Sequence, residues 1–171
     1  EKINVSEQGI VGAILKNDAS AKVMCYDTAG NVLVEHKTSL SGTGYPLDVS
    51  LSEDGEVMQV VYLYTQEGKI TSKVAYYNFG EKGEDKTDHE DTVIASGFFL
   101  NKSTSVAIGD NCLAIYKGGE VPKESSKIMI DKEIKSTFHN SKYIGMILKN
   151  EGKEGYELRL YNAGGKMAMS E

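Results

Sequence analysis

Acid–base chemistry in this 171-residue chain would have to come from three histidines, His36, His89 and His139, and from 25 carboxylates. No G-x-S-x-G elbow accompanies the histidines, so local sequence sets no nucleophile beside a base. A triad would require convergence in space. Among the acids, Asp48, Asp54 and Asp110 are the best placed to meet around a central channel contributed by several units. Paired carboxylates there would suit a hydrolase or lyase, provided one is held where its pKa rises.

Metal and phosphate chemistry find weaker footing. The run Glu81–Asp91 offers Asp88, Glu90 and Asp91 as hard oxygen ligands, but it lacks D-x-D-x-D-G spacing and contains lysines. It reads as a solvated loop or a charged outer edge strand, which resists unwanted pairing. Cys25 and Cys112 are far apart, each inside an apolar run. They read as free, buried thiols, and without a C-x-x-C pair they make no zinc site. Gly42-Thr43-Gly44 would need a following helix to cradle phosphate, whereas Tyr45-Pro46 opens a strand; the triplet reads as an inter-unit connection. No metal and no cofactor is expected.

Aromatic recognition is the remaining option. There are ten tyrosines and no tryptophan. Tyr26, Tyr77, Tyr116 and Tyr161 recur at one equivalent position per unit, which points to packing. Tyr62, Tyr64 and Tyr143 are not explained by that recurrence and are the candidates for ligand contact near loops.

The elements that must position these residues come from a repeated phrase. Ile10-Val11-Gly12-Ala13-Ile14-Leu15-Lys16-Asn17 returns as Tyr143-Ile144-Gly145-Met146-Ile147-Leu148-Lys149-Asn150. Each copy leads to an apolar run ending in Tyr and a glycine turn: Cys25-Tyr26-Asp27-Thr28-Ala29-Gly30 and Leu160-Tyr161-Asn162-Ala163-Gly164. Looser copies are Tyr76-Tyr77-Asn78-Phe79-Gly80 and Ile115-Tyr116-Lys117-Gly118-Gly119. A period of roughly 40–50 residues signals stacked supersecondary units. Short runs rich in Val, Ile and Tyr, bounded by Gly, Asn, Asp and Ser, are strands. The spacing predicts one all-β domain over residues 1–171, in four units of four strands with approximate bounds 1–40, 41–91, 92–131 and 132–171. Ile3–Val5 reads as an outer-facing lead strand. The second strands, Ile10–Lys16 and Val57–Tyr64, are almost continuously apolar, which implies burial on both faces. Gly12 and Gly145 then mark close approach of neighbouring backbones.

Composition narrows the function classes. With 40% apolar and 26% charged residues the chain is globular, and its net charge of −6 with a single arginine, Arg159, argues against nucleic acid. No apolar run reaches the ~20 residues that span a bilayer, so this segment is expected to make no membrane contact.

The pattern resembles bacterial β-propeller repeats of the WD40-like and quinoprotein-like superfamily. The segment Pro46–Gly55, with its Ser52-Glu53-Asp54-Gly55 turn, is similar to the S-x-D-G strand turn of such blades, although the Gly-His and Trp-Asp dipeptides of WD40 repeats are absent. The Lys-, Asn-, Glu- and Tyr-rich composition also resembles propeller ectodomains of Firmicute cell-envelope proteins, which follow an N-terminal transmembrane helix. The resemblance implies antiparallel four-stranded blades, in a four-bladed ring or as part of a larger propeller. It implies a non-catalytic interaction or scaffold module that binds protein or envelope glycan through blade loops. It implies an extracytoplasmic location, with an anchor before Glu1, and remaining blades from the parent chain or a homodimer.

Overall fold

The computed structural model describes residues 1–17, 20–39, 44–79, 83–89, 93–118, 122–152 and 154–171, with backbone alone at 17, 66 and 83–89. Every regular element among them is a strand. The first sheet contains β1 (Lys2–Val5), β2 (Val11–Asn17), β3 (Ser20–Tyr26) and β4 (Val32–Thr38). The second contains β5 (Tyr45–Leu51), β6 (Val57–Gln66), β7 (Lys69–Asn78) and β8 (Gly83–His89). The third contains β9 (Ile94–Asn101), β10 (Thr104–Gly109), β11 (Cys112–Lys117) and β12 (Lys123–Met129). The fourth contains β13 (Glu133–His139), β14 (Tyr143–Lys149), β15 (Tyr156–Asn162) and β16 (Met167–Ser170). Each sheet is an antiparallel meander in chain order and forms one blade.

Turn chemistry sets these registers. Glu67 and Gly68 both have positive φ, at 50° and 76°, as a two-residue hairpin loop between twisted strands demands. Gly55 has φ 73°, and a Cβ there would lie 2.8 Å from Ile10 Cγ1 and from Ser6 Oγ of the first blade. Only glycine meets both conditions.

Three buried clusters hold successive blades together. Ile14, Val23 and Cys25 of blade 1 face Val49, Met58 and Tyr77 of blade 2. Val61, Val74 and Tyr76 of blade 2 face Ala107, Ala114 and Tyr116 of blade 3. Val106, Leu113 and Ile115 of blade 3 face Ile144, Met146 and Tyr161 of blade 4. Among the described residues no such cluster joins blade 4 to blade 1. The blades therefore form an open arc, which corrects the four-bladed closed ring.

The first strands β1, β5 and β9 contact one another in sequence. They form the crowded inner edge of the arc, so the lead strand at Ile3–Val5 is inner rather than outer. The charged run over 81–91 supplies β8, at the far edge of blade 2. Gly12 and Gly145 are both buried, but side chains rather than backbones approach them. A Cβ on Gly12 would sit 3.1 Å from Val49 Cγ2 and 3.2 Å from Met58 Sδ, whereas one on Gly145 would strike the Phe138 ring of its own blade. Cys25 and Cys112 form no disulfide and are buried in different junctions, and burial pushes the Cys25 thiol up to about 11.

Candidate functional site

The turn joining the first two strands of each blade is locked by its own polar side chain. Ser6 Oγ accepts from the Ile10 N–H at 3.1 Å, and Ser52 Oγ accepts from the Val57 N–H at 3.0 Å. Asn101 Oδ1 accepts from the Ser103 N–H at 3.0 Å. Asn140 Oδ1 accepts from the N–H groups of Lys142 and Tyr143, both at 2.9 Å. Because the inner strands converge, all four turns reach one end of the arc. They surround a cavity of about 360 Å³ lined by Asn4, Glu7, Glu53, Asn101, His139 and Asn140 among others. A shallower depression of about 640 Å³ continues it past Gln8, Asp54 and Lys102. His139 stacks on Phe98, with ring centroids 3.9 Å apart and planes 7° apart. His139 itself stays exposed on the rim, and partial desolvation lowers its pKa, which favours the neutral imidazole.

A second cavity, of about 390 Å³, lies between blades 3 and 4 and is lined by Ser96, Asp110, Glu133, Lys135 and Thr137 among others. Glu133 is held below the usual carboxylate range by the Lys135 ammonium. Asp48 and Asp54 are engaged elsewhere. Asp48 pairs with Lys2 Nζ at 2.9 Å and accepts from the Gly97 N–H at 3.1 Å, tying blade 2 to both its neighbours. Asp54 accepts from Ser52 Oγ–H at 2.7 Å and from the Glu56 N–H at 3.3 Å, which shapes its own turn.

A dense charge cluster lies on blade 4. Glu157 accepts hydrogen bonds from Arg159, Lys132 and Ser170, in that order of influence, and its carboxyl is held at about 2. Arg159 also reaches Asp131 at 2.7 Å. Among the described residues, every carboxylate with a displaced pKa is displaced downward, by a cation or by hydrogen bonds. A general acid needs the opposite direction. No three of His, Cys, Asp and Glu come together among the described residues in a way that could hold a metal. The side chains of Asp88 and His89, like Gly42, Thr43, Glu90 and Asp91, lie outside the described residues.

The tyrosines divide differently from their expected roles. Tyr62 is 3% exposed, and its hydroxyl lies 2.6 Å from that of Tyr77 in the first junction. Tyr64 is also buried, with Lys73 Nζ 4.0 Å from its ring centroid. Their long strand extends into the stack, so neither is the exposed loop residue expected. Tyr143 is exposed, at the start of β14. At the repeated position Tyr77, Tyr116 and Tyr161 are buried and Tyr26 is half-buried. The rim residues Glu53, Asn101 and Asn140 escaped the sequence reading, and His139 was read there only as an acid–base group. A usable signal was present: Ser6-Glu7-Gln8-Gly9 and Ser52-Glu53-Asp54-Gly55 share S-E-x-G at the same place in two units.

The sequence matches one family along its whole length, residues 1–171, described as a family of unknown function, DUF5711. The chain belongs to the DUF5711 family. No curated protein matches it. Its fold is similar to that of the β-propeller domain of the Trilobed protease from Pyrococcus furiosus, with a TM-score of 0.68 at 10% identity over 100% of this chain and 55% of that one. It is similar to BamB from Moraxella catarrhalis, with a TM-score of 0.66 at 5% identity over 99% of this chain and 47% of that one. A structure of KlAtg21 in complex with the coiled coil of AgAtg16 gives a TM-score of 0.63 at 11% identity, over 99% of this chain and 57% of that one. This DUF5711 chain thus has the β-propeller fold and spans about half the length of these solved structures.

Proposed function

We propose that this chain is a non-catalytic interaction module and that it binds a protein partner through the rim of first turns. One observation carries the reading: four equivalent turns, one from each blade, meet around a single concave polar cavity. Each turn is fixed by its own side-chain cap, so the rim is rigid before it binds, and little ordering entropy opposes association. Asparagine, serine, glutamate and a neutral imidazole offer a partner both donors and acceptors. An envelope glycan is the other ligand the loops would suit. An extracytoplasmic location belongs to the same proposal, supported by the resemblance in composition to envelope propeller ectodomains. The ring would be completed by further blades, from the parent chain or from a homodimer.

A panel of peptides and envelope glycans screened by thermal shift tests the rim, since a ligand of the native state raises the melting temperature by mass action. A peptide that stabilises the chain, and whose effect is lost in the combined Glu53→Ala and Asn101→Ala variant but kept in Lys123→Ala on the outer strand β12, supports the proposal. Stabilisation that survives the rim variant, or turnover of a glycan, overturns it.

A further inference from the structure

The rim is divided by the sign of its charges. In each antiparallel meander the first and third turns lie at the same end of the blade, and a contact joins them. In blade 1 a Cβ on Gly9 would come within 3.0 Å of Thr28 Cγ2. In blades 2, 3 and 4 the N–H groups of Phe79, Gly118 and Ala163 donate to the carbonyls of Glu56, Ser103 and Lys142, at 3.0, 3.2 and 3.1 Å. The third turns therefore widen the rim that the first turns build.

Among the described residues, the turns of blades 1 and 2 at this end carry only acidic charges. These are Glu7 and Asp27 in blade 1, and Glu53, Asp54 and Glu56 in blade 2. The turns of blades 3 and 4 carry only lysines there, Lys102, Lys142 and Lys166, all exposed. The opposite ends of the blades show no such division. Their described hairpin loops are acidic in blades 2, 3 and 4 alike, with Glu67, Asp110 and Glu151. The lysine half is thus a property of the rim and not of the last two blades.

These charges are also unspent. Lys2, Lys22, Lys132 and Lys135, which lie on or beside strands, are each matched by a carboxylate of the chain. Glu7, Glu53, Glu56, Lys102, Lys142 and Lys166 form no ion pair with a described residue. The depression of about 640 Å³ crosses the boundary, with Glu7, Glu53 and Asp54 on one side and Lys102 on the other.

We propose, on the reading that the rim is where a partner binds, that the partner's contact segment is a peptide stretch with its own charges segregated. Its cationic part lies over the turns of blades 1 and 2, and its anionic part over those of blades 3 and 4. Turned end for end, such a segment meets like charge at both ends, so the rim selects its direction as well as its composition. A uniformly anionic surface, lipid or nucleic acid, is repelled by half of the rim. A neutral glycan uses neither half. Charges at an exposed rim act on specificity and encounter rate, and salt screens them.

Fluorescence anisotropy with the 171-residue chain tests this. One labelled peptide joins a lysine block to a glutamate block through a glycine–serine linker. A second has the same composition with lysine and glutamate alternating. The block peptide should bind roughly tenfold tighter, and added salt should close the gap. Combined Lys102→Glu and Lys142→Glu makes all four first turns acidic. It should remove the preference for the block peptide and strengthen binding of an all-lysine peptide roughly tenfold. Glu7→Lys with Glu53→Lys is the converse variant, and it should favour an all-glutamate peptide; circular dichroism checks the fold of each. Lys127→Glu, on the outer strand β12, should leave the preference unchanged. Equal affinity for the block and alternating peptides, with binding still lost in the combined Glu53→Ala and Asn101→Ala variant, overturns the charge division and leaves the rim as the binding site. Block-peptide binding that survives that variant overturns the rim reading as well. Failure of the block peptide to bind at all overturns the proposal.

Discussion

The interior junctions and the two ends of this arc are built from one repeated phrase, yet they carry different surfaces. The second strand of blade 3, β10, is buried at every residue, and its counterpart in blade 4, β14, alternates buried and exposed positions along most of its length. Nothing in their turns or lengths explains this, because both are central strands of four-stranded meanders. What differs is whether a blade lies on each side. The junctions also differ among themselves. The second is polar at its centre, where Ser50 Oγ–H donates to Gln59 Oε1 at 3.1 Å and Gln59 Nε2–H donates to the Tyr76 hydroxyl at 3.0 Å. Ser105 completes the chain, 2.8 Å from the same hydroxyl. A buried network of this kind fixes register because each member is costly to leave unpaired. It also explains Gly97, since a Cβ there would lie 2.4 Å from Gln59 Oε1. The first and third junctions are mainly apolar, and they specify position by shape.

The contrast can be broken most sharply at the repeated tyrosine. Tyr116→Ala removes a fully buried ring from the second junction, and a large-to-small change there should cost about 3–5 kcal/mol in urea unfolding. Tyr26→Ala at the uncovered end, measured at a dilution where the chain is monomeric, should cost under about 1 kcal/mol. Equal losses would show that the outer face of blade 1 is already covered.

Glycine substitutions give a smaller separation. Gly12→Leu pushes a side chain into Val49, Leu51 and Met58, all held between two blades, and should cost about 1–3 kcal/mol or more. Gly145→Leu first strikes the Phe138 ring, the half-exposed far end of a side chain of its own blade. Its melting temperature should fall less than that of Gly12→Leu. The reverse order would place the packed face of blade 4 on the wrong side.

The least effect is expected from pH. Glu157 on blade 4 is held at about 2, against 4.5 for a free glutamate, by Arg159, Lys132 and Ser170. A carboxyl depressed in the folded state contributes stability that is present above the unfolded value and lost as pH falls through the folded one. Wild-type stability should therefore decline between about pH 4.5 and pH 2 more steeply than that of Glu157→Gln. Parallel curves would show that the cluster does not tie the last blade to the Asp131–Lys132 connection.

Strand identity was set locally. Alternation, β-branched residues and glycine punctuation marked most of the described strands, because those signals act through the backbone of each segment and its nearest partner. Even the charged stretch of β8 fell where a fourth strand was due. The repeated Tyr packs on the preceding blade at Tyr77, Tyr116 and Tyr161, whereas Tyr26, at the same repeat position, is half-buried. Local sequence did not reveal the rim. Glu53, Asn101 and His139 are distant in the chain, and they meet only because the inner strands crowd toward one axis. Nor could it tell Tyr62 from Tyr143: both begin or continue an apolar run, and their exposures depend on whether another blade covers that face. Composition and period determined that this chain is a stack of four-stranded blades. Whether the stack closes, and which faces it leaves open, was decided only by tertiary structure, because the curvature between blades comes from the fit of whole sheets.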